Sequence, residues 1–411
     1  MKRQSSYRFV VTIAVLFVAA GLAPAVSPQG EKVKVPRAPV AGVRAEIPAA
    51  RAVMLSDLRR AKCEGDAAAA ARLHDRLGWT DASAPAIPSH IAPEVVIRDD
   101  RPRDPLKWGG DVLVSQPDWS SGYQAMACRS DGTFYVVDVD LINNDYLDLY
   151  TSDDGGANWI YEYSLHEPAG VKYFPSIAIG EGVNDRLLIA YETARNTADA
   201  RVVVFWRDLD TGGTGTVTVD TYPGNIVGRP KICVDSPEYS VWYAYLTYVR
   251  GLAGVGDYQL WFSRSLAYGE TWETPMLRSL SVNYEDDHAI DFGSAGLLCA
   301  WSEKSISANI HATWSADFGA TWGAPTLLAS SALDEFEPSV AVSNVDDTAV
   351  VIFAVDYGGM DTDIEACVTT NGGGAWSRVY LPYNGEYELG SNLTFDPVTN
   401  TINAAYGRAK G

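Results

Sequence analysis

Beyond about residue 108, apolar positions fall in short runs rich in Val, Ile, Tyr and Trp, separated by clusters of Gly, Asn and Asp. Runs bounded in this way predict strands, and no three-and-four helical spacing interrupts them. The runs recur as a unit of about fifty residues. A first strand is expected six times, at 124–129, 175–180, 230–235, 287–292, 338–343 and 391–396. A second follows each, at 133–139, 186–191, 241–247, 296–301, 349–355 and 401–406. Third strands are expected at 146–151, 201–206, 258–263, 309–313 and 363–368. Sheets this small bury their faces only against neighbouring copies, so the pattern predicts an all-β chain folded as a six-bladed β-propeller over 108–411. The sixth unit shows two strands before Gly411. Two strand-like runs at 93–98 and 111–116 are available to complete it and close the ring; the alternative is a tail holding further strands.

Four third strands run into one turn pattern, a hydroxyl residue, then Asp or Asn, then Gly, then Trp. It reads Ser152, Asp154, Gly156 and Trp159; Ser265, Gly269 and Trp272; Ser315, Asp317, Gly319 and Trp322; and Thr369, Asn371, Gly373 and Trp376. The second copy carries Ala267 at the acidic position, and Asp208–Gly213 is a decayed copy in the second unit. A hydroxyl and a short carboxylate bond the turn's own amides, Gly takes positive φ, and the indole packs back on the sheet. The pattern resembles the Asp-box (BNR) repeat of the sialidase superfamily. That resemblance implies a propeller with its active site at the end opposite these turns.

The front of the chain differs. Lys2, Arg3 and Arg8 precede an apolar run at 9–22 and then Ala23-Pro24-Ala25, which predicts a secretory signal cut after Ala25 and an exported protein, secreted or periplasmic. The run is too short for a permanent membrane span. Residues 26–107 read as an Ala- and Pro-rich linker carrying a short helical segment at 55–78. The odd set Cys63, Cys128, Cys233, Cys299 and Cys367 is read as buried small hydrophobes rather than disulfides. The net charge is −20, and residues 1–107, with 17 basic and 11 acidic side chains, leave 15 and 41 beyond them, a net of −26 for the predicted propeller. So acidic a body disfavours nucleic acid and anionic membranes.

A propeller presents ligands with the loops entering first strands and those joining second to third strands. There the sequence places Asp286, Asp287, Glu335 and Glu337 as candidate acid–base carboxylates. Tyr173, Arg195, Arg229, Arg250, His288 and Glu386 are candidate ligand contacts, with His288 a candidate titrating group. Asp138, Asp140 and Asp145 form a weak oxygen-rich pattern for Ca2+, without the alternation and central Gly of established calcium loops. Trp119, Tyr123, Tyr173, Tyr284, Tyr357 and Tyr383 lie near these loops and suit sugar stacking. The resemblance implies three arginines on a carboxylated sugar, a Tyr–Glu nucleophile pair, an Asp acid and a Phe-Arg-Ile-Pro motif in the first blade. No such motif occurs; the nearest run is Gly228-Arg229-Pro230, in the third unit. The expectation is therefore non-catalytic recognition of a glycan or other extracellular ligand. The alternatives are a glycoside hydrolase, sialidase-like or using an acid–base carboxylate pair, and a structural surface module.

Overall fold

The computed structural model describes residues 7–16, 94–98, 114, 121–140, 146–166, 172–182, 184–193, 198–235, 242–252, 258–278, 287–304, 307–358, 361–380, 387–396 and 401–409. Every regular element among them is a strand. The N-terminal strands are β1 (Tyr7–Leu16) and β2 (Glu94–Arg98). The first sheet holds β3 (Ser121–Cys128), β4 (Phe134–Asp140), β5 (Tyr146–Ser152) and β6 (Ile160–His166). The second holds β7 (Lys172–Gly180), β8 (Arg186–Thr193), β9 (Arg201–Asp208) and β10 (Thr214–Thr221). The third holds β11 (Ile226–Val234), β12 (Ala244–Gly251), β13 (Tyr258–Ser265) and β14 (Met276–Leu277). The fourth holds β15 (His288–Gly293), β16 (Gly296–Lys304), β17 (Ala308–Ser315) and β18 (Thr326–Ala329). Then come β19 (Asp334–Val342), β20 (Ala349–Gly358), β21 (Asp361–Thr369) and β22 (Ser377–Tyr380), followed by β23 (Tyr387–Asp396) and β24 (Thr401–Ala409).

Strands within each sheet are antiparallel neighbours in chain order. The last two groups are joined by a single parallel pair, Thr362 with Tyr387. Beyond β24 the sheet continues through β1 and then β2, so β23, β24, β1 and β2 make a further four-stranded unit. This departs from expectation at two points. The apolar run read as an export signal supplies a strand, because Val10, Val11, Thr12, Ile13 and Val15 suit an extended backbone as well as a signal core. Glu94–Arg98 does reach the last sheet, but beside β1 rather than β24. The 111–116 run, except Val114, and the helical segment at 55–78 lie outside the described residues.

First strands of consecutive sheets pack on one another in order, from β3 through β7, β11, β15 and β19 to β23, as propeller blades do. Second strands are then apolar on both faces. In β8, Leu187 and Ile189 pack toward the first sheet while Leu188 and Ala190 pack toward the third. In β20, Val351 and Phe353 face the fourth sheet, whereas Val350 and Ile352 face the sixth. Each fully buried Leu, Ile, Val or Phe among them contributes about 1.5–3 kcal/mol.

The four turns form as their chemistry requires. Gly156, Gly269, Gly319 and Gly373 donate their amides to Ser152, Ser265, Ser315 and Thr369 Oγ at 2.8–3.1 Å. Asp154, Asp317 and Asn371 accept from the amides of Asn158, Thr321 and Ala375, and these bonds pull the Asp154 carboxyl down to about 2. Ala267 leaves the second turn without that bond. Three of the turn glycines touch the preceding sheet: a Cβ on Gly269 would strike Leu188, one on Gly319 Phe262, and one on Gly373 would press on Trp314. Trp322 meets Phe262 edge-on at 5.0 Å. Cys233, Cys299 and Cys367 are buried free thiols as expected, but Cys128 is exposed, because its side of β3 is left uncovered. Cys63 lies outside the described residues.

Candidate functional site

First strands share a second feature. A register shift interrupts β3, β7, β11, β19 and β23 near their starts. In three of them the residue before a proline sits in the left-handed region: Phe174 at φ 49°, Arg229 at 51° and Glu337 at 51°. Gly390 holds the same place in β23 at 65°. Such bulges re-aim side chains at a sheet rim, here at the end opposite the four turns.

Arg229 is the centre of what the bulges bring together. Its guanidinium lies 5.0 Å from the Phe174 ring centroid, and its Nη1 is 3.2 Å from Asp287 Oδ1. Its backbone amide donates to Glu192 Oε2 at 2.8 Å. Gly228 makes that bond possible, since any Cβ there would overlap the Glu192 carboxylate. Phe174 stands 4.3 Å from Tyr123, which meets Tyr173 edge-on at 6.2 Å. Glu337 Oε2 accepts the Gly390 amide at 3.1 Å.

Lys231, two residues beyond Arg229, was missed by the sequence reading. Its side chain is exposed, and among the described residues it makes no ion pair. Desolvation by the surrounding protein lowers its ammonium from the ordinary range; Asp287 opposes the shift, Arg229 adds to it, and Glu337 opposes it again. Sheets three, four and five thus converge on one amine. The available signal was its place just after the Pro230 bulge.

Several expectations are corrected. His288 is not a near-neutral titrating group: it is buried, and desolvation first, then Lys231 and Arg229, push it down to about 3. Neither ring nitrogen finds a hydrogen-bond partner; the Thr247 backbone opposes the shift from outside hydrogen-bond geometry. Glu335 is fully buried and paired with Arg378 at 3.0 Å, which also holds Glu365, so it cannot meet a ligand. Arg250 does not join Arg229. It lies between Tyr222 and Trp261 at 4.1 and 4.8 Å and faces Asp220 at 3.6 Å. Asp138 and Asp140 are buried near Asp148, whose carboxyl is raised by burial first and by these two neighbours, while Ser164 opposes the rise. No group of His, Cys, Asp or Glu among the described residues is arranged to hold a metal ion. Asp145, Arg195, Asp286 and Glu386 lie outside the described residues, leaving Tyr173, Arg229, Asp287 and Glu337 as the expected residues brought together.

No protein-family profile and no curated protein matches the sequence. Solved structures similar in shape include a Dyadobacter fermentans protein of unknown function, 11% identical with TM-score 0.48, covering 73% of this chain and 97% of that one. A Trypanosoma rangeli sialidase with the inhibitor DANA is 11% identical, TM-score 0.45, over 71% of this chain and 55% of its own. A Penicillium chrysogenum α-L-arabinanase with arabinobiose is 12% identical, TM-score 0.45, over 71% and 95%. Similarity at this level assigns neither a substrate nor a residue role. No helix among the described residues is long and apolar enough to cross a membrane.

Proposed function

We propose that this is an exported six-bladed propeller that recognises a glycan or other extracellular ligand at the rim built by the first-strand bulges, without cleaving it. The observation that carries the reading is the convergence of Tyr123, Tyr173 and Phe174 with Arg229, Asp287, Lys231 and Glu337 at one end of consecutive sheets. Aromatic faces beside a few oriented polar groups suit sugar binding. Glu335 is sealed inside, which removes one of the four carboxylates considered for acid–base work, and Asp287 is already engaged by Arg229. Glycoside hydrolysis is the second reading, favoured by one observation: Asp287 and Glu337 are both rim carboxylates near Lys231. The purified chain should bind on a glycan array and release no chromophore from a broad panel of chromogenic glycosides. Release that is abolished by Asp287→Ala or Glu337→Ala would establish the hydrolase instead.

A further inference from the structure

Phe174, Arg229 and Glu337 occupy equivalent places, each before a proline and each at φ near +50°. Glycine adopts that conformation freely, whereas a bulky side chain resists it. Gly390 in β23 shows that glycine serves the bulge equally well. Side chains kept against strain at a rim point to a task for those side chains.

We infer that these left-handed positions are the ligand-reading residues of the rim, and that they read a neutral, hydroxyl-rich sugar ring rather than an acidic one. The inference rests on the recognition reading above. Phe174 with Tyr123, which is 40% exposed, offers a stacking face. Arg229, laid on Phe174 and balanced by Asp287, offers donors without net charge. Glu337 spends one oxygen on Gly390, and the other has no partner among the described residues. Among the described residues the rim cations Arg229 and Lys231 stand near the carboxylates Asp287 and Glu337, so these groups offer an acidic sugar no net positive charge. Hydroxyls both donate and accept, as this mixture of groups requires.

The test uses the whole chain on an array of arabino-, xylo-, gluco- and galacto-oligosaccharides, with sialyllactose and oligogalacturonate for comparison. Titration calorimetry with the best neutral oligosaccharide follows, on wild type, Phe174→Gly, Glu337→Gly and Glu337→Gln. Neutral sugars should bind in preference to the two acidic probes. Glu337→Gly should raise Tm by about 2–3 °C through relief of strain while weakening Kd at least tenfold, and Phe174→Gly should weaken Kd similarly. Glu337→Gln keeps the strained backbone and an acceptor oxygen, so Tm stays put and Kd rises less than tenfold. Preference for either acidic probe overturns the sugar class. Unchanged Kd in both glycine variants overturns the reading positions yet leaves recognition standing. A lower Tm in Glu337→Gly makes that side chain structural and overturns its role. A silent array defeats the recognition reading, and this inference with it.

Discussion

Replacing Asp291 with Asn removes one charge at the seam between the fourth and fifth sheets. Asp291 lies on β15, and its Oδ2 accepts the Val342 amide of β19 at 2.9 Å. Burial raises its carboxyl to about 7 from an ordinary 3.8, against the pull of the Val342 and Phe292 amides. A carboxyl whose folded value is raised favours the folded state fully below the unfolded value, and that contribution is lost as pH rises through the folded one. Stability should therefore fall between about pH 4 and pH 7. At about 1.4 kcal/mol per pH unit the gap gives a ceiling of about 4 kcal/mol, which partial water access trims to about 2–3 kcal/mol. Asn keeps an oxygen for the Val342 amide and carries no charge. In urea unfolding from pH 4 to pH 8, Asp291→Asn should match wild type at the acid end and exceed it by about 2–3 kcal/mol at pH 8. A variant destabilised equally at every pH would refute this account, because it would show that the bond matters and the charge does not.

Three further outcomes are expected. Ala267→Asp restores the carboxylate that the second turn lacks and lets it accept the Thr271 amide, as Asp317 accepts that of Thr321; thermal unfolding should register about 1 kcal/mol of added stability. Arg378→Met leaves Glu335 and Glu365 buried without their shared partner; denaturant unfolding should show a loss of about 3–5 kcal/mol at neutral pH, largely recovered when both carboxylates are also made Gln. Mass spectrometry of protein expressed with its own N-terminus and recovered from the exported fraction should find a chain beginning after Ala25. Recovery there with Tyr7–Leu16 retained would count against the export signal and make β1 a permanent strand.

Much of the strand order was legible because it rests on local alternation. The second strand expected at 186–191 is observed as Arg186–Thr193, and the third expected at 146–151 as Tyr146–Ser152. Fourth strands were not legible: β14 is two residues long, and β10 sets only Val217 and Val219 among Thr, Gly and Asp, so neither leaves a strong apolar imprint. The site was harder still. Glu335 and Glu337 stand two apart, which in a straight strand places both on one face. The register shift between Phe336 and Ser339 breaks that parity, leaving Glu335 buried with Arg378 and Glu337 at the rim. Lys231 was overlooked for the same reason. A bulge is a backbone event, and its side-chain consequence appears only once neighbouring sheets are in place.

The glycines that press the turns of sheets three, four and five onto their predecessors give this stretch of the array a direction. Leu188, Phe262 and Trp314 are three different shapes, each met by the turn of the following sheet. A blade of this protein is therefore keyed to one upstream partner, much as a threaded part fits one bore. Excising, duplicating or transposing a blade would need both its turn and the hollow that receives it recut, so growth or shortening of this chain by whole units demands matched changes at two seams.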